Sequence, residues 1–106
     1  MITEEIRAAI GKRASGAWEH LIKQCWEEET EILSRNIDDT IDFLENECTA
    51  DEFSWLSEVF DDVAERTQSR KFVDCLYRVA DKYPEESAKY HIVENLKYAE
   101  DALHTD

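Results

Sequence analysis

The chain has 106 residues, 36% of them charged, a formal net charge of −14, 42% hydrophobic residues and eleven aromatics. That length reads as one domain, residues 1–106, which buries roughly two-thirds of the surface its unfolded chain exposes. With two Gly and one Pro among so many aromatics, the composition excludes a disordered acidic chain, and no run approaches the ~18 apolar residues of a membrane span.

In chain order, almost every segment repeats its apolar residues at a helical period and none alternates as a strand does. Ile2, Ile6 and Ile10 predict a short first helix ending near Gly11. Ser15 is an N-cap candidate for a second helix whose core face runs Trp18, Leu21, Ile22, Cys25, Trp26, Ile32 and Leu33. Glu29 falls where that stripe expects an apolar residue, so a bend or an end is expected near it. Ile37, Ile41, Leu44 and Cys48 form the face of a third helix. Thr49-Ala-Asp-Glu52 is a capping box, the clearest helix start in the chain. It opens a fourth helix bearing Phe53, Leu56, Val59, Phe60 and Val63. Ser69 caps a fifth, with Phe72, Cys75, Leu76, Val79 and Tyr83. Pro84 restarts the chain towards a last helix with Ile92, Leu96, Ala99 and Leu103. The expected fold is all-α, a single-domain irregular bundle of five to six antiparallel helices. A HEAT-like hairpin is one arrangement open to the fourth and fifth.

Charge is distributed unevenly. Fifteen of the twenty-six carboxylates lie in residues 25–66, where only Arg35 and Arg66 oppose them, a net −13. Residues 1–24 carry +1 and residues 67–106 carry −2. A concentrated negative field steers a basic partner. On a wheel of 100° per residue centred on Leu56, the apolar side chains of the fourth helix fall within ~60°, while Asp51, Glu58, Asp61, Asp62 and Glu65 fall at or beyond ~120°. Trp55 lies ~100° from that centre, at the border of the acidic face, where an interface anchor is expected. Asp38, Asp39, Asp42 and Phe43 on the third helix form its expected rim.

Other chemistries find no framework here. His20, His91 and His104 show no Glu-x-x-His spacing, and NIDDTIDFLENE lacks the glycine of a calcium loop. Neither a nucleophile elbow nor a Gly-rich phosphate loop is present, so no catalytic residue, metal or cofactor is expected. Phosphate binding needs a basic footprint, and the acidic balance opposes direct contact with nucleic acid. Cys25, Cys48 and Cys75 are too widely spaced for a redox pair and are expected as buried free thiols in a reduced compartment. MITEEIRAAIGKR has no apolar run of the signal-peptide kind. Together these point to a cytoplasmic protein.

The stretch ECTADEFSWLSEVFDDVAERTQSRKFVDCLYRVADKYPEE, residues 47–86, resembles the small, acidic, helical immunity proteins of bacterial contact-dependent and other polymorphic toxin systems. What carries the likeness is its capped F-x-W-L-x-x-V-F helix, its T-Q-S-R turn and the F-x-x-C-L-Y helix before Tyr83-Pro84. The resemblance implies a monomeric, non-enzymatic, cytosolic antidote that binds a basic protein toxin, often a nuclease domain, and blocks its active site or substrate path. Two alternatives stand beside it: a nucleic-acid mimic that blocks a DNA-binding protein, and a plain protein-interaction module.

Overall fold

A computed structural model describes residues 2–15 and 19–104. Trp18 lies outside the described residues, as does the start of the second helix that Ser15 was expected to cap. The elements are α1 (Ile2–Ala14), α2 (Glu19–Arg35), α3 (Ile37–Asn46), α4 (Ala50–Leu56), a 3-10 turn (Ser57–Val59), α5 (Phe60–Thr67), α6 (Arg70–Lys82), α7 (Pro84–Lys89) and α8 (Ile92–Asp101). Among the described residues there is no strand, and the fold is the expected all-α irregular bundle.

Helix starts follow the sequence signals closely. The Asn36 side chain accepts from the Asp39 amide at 3.2 Å and opens α3. In the capping box, the Glu52 amide donates to Thr49 Oγ1 at 3.1 Å, and the Thr49 amide donates to Glu52 Oε1 at 2.9 Å. Ser69 accepts from Phe72 and opens α6, and Pro84 stands in the first turn of α7. Gln68, at φ 52°, ends α5 in the left-handed conformation common at helix C-termini.

Three expectations change. First, α1 passes through Gly11 and ends at Ala14. An interior glycine costs a helix about 1 kcal/mol, which the burial of Ile6, Ala9 and Ile10 offsets. Ser15 follows the end of α1, its hydroxyl donating to Lys12 O at 2.8 Å. Second, α2 neither bends nor ends at Glu29, which lies fully buried within a continuous helix. Buried Cys25, Ile32 and Leu33 hold both halves of α2 on the core, so the carboxylate is carried inside with them.

Third, the single helix expected from Thr49 to Arg66 is two helices joined by the 3-10 turn. Ser54 Oγ donates to Asp51 O at 2.7 Å and Ser57 Oγ donates to Ser54 O at 2.6 Å. Serine hydroxyls that take helix carbonyls in this way bend and tighten a helix. Phe53 and Phe60 meet across the turn in the core, their rings tilted at 47° with centroids 5.2 Å apart. Phe60 in turn meets Phe72 edge-on at 6.1 Å.

Those rings, with Phe43, Leu33, Leu56, Leu76, Ile92 and Leu96, are fully buried in one contiguous cluster that all the longer helices share. α1 lies along α2, α5 packs chiefly on α8 and α2, and α6 chiefly on α3 and α8. α5 and α6 touch little, so a HEAT-like hairpin is not the organising contact. The three cysteines are free and buried as expected. Burial, reinforced by Glu52 beside Cys48 and by Glu45 beside Cys75, pushes both thiols up to about 12.

Candidate partner-binding face

Folding brings cations from outside onto the acidic segment. From α1, Arg7 pairs with Glu52 at 2.7 Å, Lys12 with Glu28 at 3.1 Å and Arg13 with Glu58 at 2.8 Å. From α6, Lys71 reaches Asp38 at 3.2 Å and Arg78 reaches Glu45 at 2.7 Å. Arg35 spans Glu31 at 2.7 Å and Glu5 at 2.8 Å. The sequence counted only Arg35 and Arg66 as opponents because it ranks neighbours by position along the chain. The helices that pair α1 with α2 and α6 with α3 supply the rest.

Within residues 25–66, what stays exposed and outside any ion pair among the described residues is Glu27, Asp39, Asp42, Glu47, Asp51, Asp61 and Asp62. Asp51, Asp61 and Asp62 sit on α4 and α5, where the sequence placed them. Glu65 is exposed beside them, its Oε1 3.1 Å from the His104 ring. Partial burial at a groove wall, and then the adjacent Asp61 carboxylate, push the Asp62 carboxyl up. That groove runs between α2 and α5, with Trp26, Thr30, Asp62 and Glu65 among its walls.

Two site residues are corrected. Phe43 is not a rim residue: it is 1% exposed in the core, beneath the Arg7 guanidinium. α3 turns Thr40, Phe43 and Leu44 inward, because the Thr40 hydroxyl finds Leu33 O at 2.7 Å and is buried with it. Ile37 and Ile41 are left half-buried. Glu58 does not share the outer face with the other four carboxylates of α4 and α5. A 3-10 turn advances 120° per residue rather than 100°, and Glu58 is turned to Arg13 with a quarter of its side chain exposed. Asp38, Asp39 and Asp42 are exposed as expected, although Asp38 faces Lys71 and Asp42 accepts from Asn46 at 2.8 Å.

Trp55 is half-buried, with the Arg13 guanidinium 5.1 Å from its ring centroid. It also walls a cavity of about 250 Å³ with Asp51, Ser54, Ser57, Glu58, Tyr90 and Asn95. Tyr90 and Asn95 come from the α7–α8 junction, outside the acidic segment. No periodicity or charge signal in the sequence marks them, since only the packing of α4 on α7 and of the turn on α8 brings them here.

Behind this wall lies Glu29. It is fully buried, and neither carboxylate oxygen has a hydrogen-bond partner. Burial first, and then the Glu58 carboxylate, push it up to about 7 against the pull of Arg13.

Among the described residues no three His, Cys, Asp or Glu side chains are grouped to hold a metal ion, and no helix is long and apolar enough to cross a membrane. Fold and site thus define an irregular helical bundle with an acidic, aromatic-edged face. Comparison with protein-family models, with curated proteins and with solved structures finds no match.

Proposed function

We propose that this is a cytoplasmic, monomeric, non-enzymatic immunity protein. It binds a basic bacterial toxin, of nuclease type, through the acidic face of α4 and α5, and so neutralises it. The observation that carries the reading is the set Asp51, Asp61 and Asp62 on α4 and α5, exposed and outside any ion pair among the described residues after cations of α1 and α6 have paired with Glu28, Asp38, Glu45, Glu52 and Glu58. After partial burial, the neighbouring Asp61 carboxylate also pushes the Asp62 carboxyl up, so keeping these two charges together opposes folding, and a face that keeps them points to a use outside the fold. A nuclease must present cations to hold phosphates, and a negative field raises its association rate by roughly one to three decades at low salt. Speed matters to an antidote, since uncaptured toxin does damage.

The test is affinity capture from source-cell lysate at low and high salt, followed by expression of each captured protein with and without this chain. The expected result is a basic partner, toxic alone and harmless in the pair, released at high salt. A DNA-binding partner without toxicity, displaced by DNA, overturns the toxin reading in favour of mimicry. Capture of nothing at either salt reduces the face to a solvated surface.

A further inference from the structure

The cavity behind Trp55 has the chemistry of a receptor for one particular side chain. Its two aromatic walls, Trp55 and Tyr90, come from different parts of the chain. Its carboxylates are Asp51 and Glu58, its small polar groups are Ser54, Ser57 and Asn95, and no cation lines it among the described residues. Tyr90 is 46% exposed, one of the largest apolar side chains left at the surface. The chain itself shows what such walls attract. The Arg13 guanidinium lies 5.1 Å from the Trp55 ring while its Nη2 donates to Glu58 at 2.8 Å. Lys89 Nζ lies 5.2 Å from the Tyr90 ring. Each aromatic therefore already holds a cation of the chain's own, yet neither Arg13 nor Lys89 fills the cavity.

We propose that this cavity, between α4 and the α7–α8 junction, receives an arginine side chain of the basic partner. The proposal rests on the partner-binding reading above and gives that face its anchor. A guanidinium is flat, stacks on aromatic rings and carries five N–H donors in a fixed fork. Trp55 and Tyr90 provide rings, Asp51 provides an exposed carboxylate without an internal cation, and Asn95 provides an amide oxygen. An ammonium would gain the charge attraction without the flat stacking, and a planar neutral group such as that of citrulline would keep the stacking and lose the charge attraction. Asp51, one of the exposed carboxylates of the proposed binding face, lines the cavity itself, so a partner drawn to that carboxylate meets the cavity.

The experiment uses the full chain, ¹⁵N-labelled and followed by two-dimensional NMR, with Nα-acetyl-arginine amide as the probe and its neutral citrulline counterpart as the control. The expected result is saturable shifts at the Trp55 indole N–H and at the Ser54, Ser57 and Asn95 amides. The citrulline probe should bind about tenfold more weakly, as loss of one charge-assisted contact implies. Asn95→Phe, which fills the cavity from α8, should abolish the response. Should that variant fail to fold, Asp51→Asn at an exposed position should weaken the probe about fivefold, the effect of one partly exposed ion pair. Equal response to citrulline, or arginine shifts spread over the acidic surface and unaltered in the variants, overturns the proposal. If the probe binds but no toxic partner is captured, the cavity stands and the antidote reading falls. If a toxin is captured equally well by Asn95→Phe, the anchor falls and the antidote reading stands.

Discussion

Glu29 is the residue held furthest from the state its chemistry prefers. With no hydrogen-bond partner on either oxygen, its carboxyl takes up a proton near pH 7 rather than near 4.5. A group whose folded value is raised stabilises the fold when protonated, so its contribution is full below pH 4.5 and is lost as pH rises to about 7. The shift corresponds to about 3 kcal/mol at most. Glu29→Gln, a neutral side chain of the same shape, should be more stable than the native chain at pH 8. The gap should close by pH 5, as thermal melts across that range would show. Melts that stay parallel for the two proteins at every pH would refute this. Phe43 teaches a different lesson about a single residue. Phe43→Ala should cost about 3–5 kcal/mol, because it empties a fully buried ring site. Its effect on any partner should follow stability alone. The sequence placed Phe43 at a rim because Ile37, Ile41, Leu44 and Cys48 set the stripe of the wheel; in the fold α3 instead buries Thr40, Phe43 and Leu44, with the Thr40 hydroxyl satisfied by Leu33 O.

At the scale of elements, local chemistry and tertiary packing divide the work. Caps are local, and each of Thr49, Ser69 and Pro84 starts its helix where the sequence placed it, while Asn36, read as the end of the preceding segment, also caps α3. Thr49→Ala removes one half of the capping box and should lower stability by about 1 kcal/mol in chemical denaturation. An unchanged midpoint would mean that packing of Phe53 alone fixes the start of α4. The break between α4 and α5 is not local in the same sense. Ser54 and Ser57 make it available by taking the Asp51 and Ser54 carbonyls, and the elements on either side of the turn pack on different neighbours, α4 on α1 and α7 and α5 on α8 and α2. That choice takes Glu58 away from the outer face and gives it to Arg13. Continuity of α2 through Glu29 has the same origin, since burial of Ile32 and Leu33 outweighs the cost of enclosing one protonated carboxyl.

For the molecule as a whole, the net charge of −14 is a property of composition, while the shape of its field is a property of the fold. Six ion pairs from α1, α2 and α6 quench much of the acidic segment and leave Asp51, Asp61 and Asp62 as its exposed remainder on α4 and α5. The double variant Asp61→Lys with Asp62→Lys should lower the association rate with a basic partner about tenfold or more at low salt and flatten its salt dependence. Dissociation should change far less. Stopped-flow association at two ionic strengths separates these, and a rate unmoved by four units of charge would place the interface elsewhere. Glu58 is the wrong residue for this purpose, because its substitution would strand Arg13 and confound binding with stability.

By itself the sequence determined the helical period, the helix starts, the burial of the cysteines and the excess of negative charge. Each depends on residues within a turn or two of one another, or on composition. Only the tertiary structure decided which carboxylates keep their charge unopposed, which ring of α3 enters the core, and that Tyr90 and Asn95 join Trp55 around one cavity. The charge pattern depends on contacts between residues far apart in the chain, such as Arg7 with Glu52 and Arg13 with Glu58, each 45 positions apart. No periodicity along the chain encodes such a contact, because it exists only once the helices have chosen their neighbours.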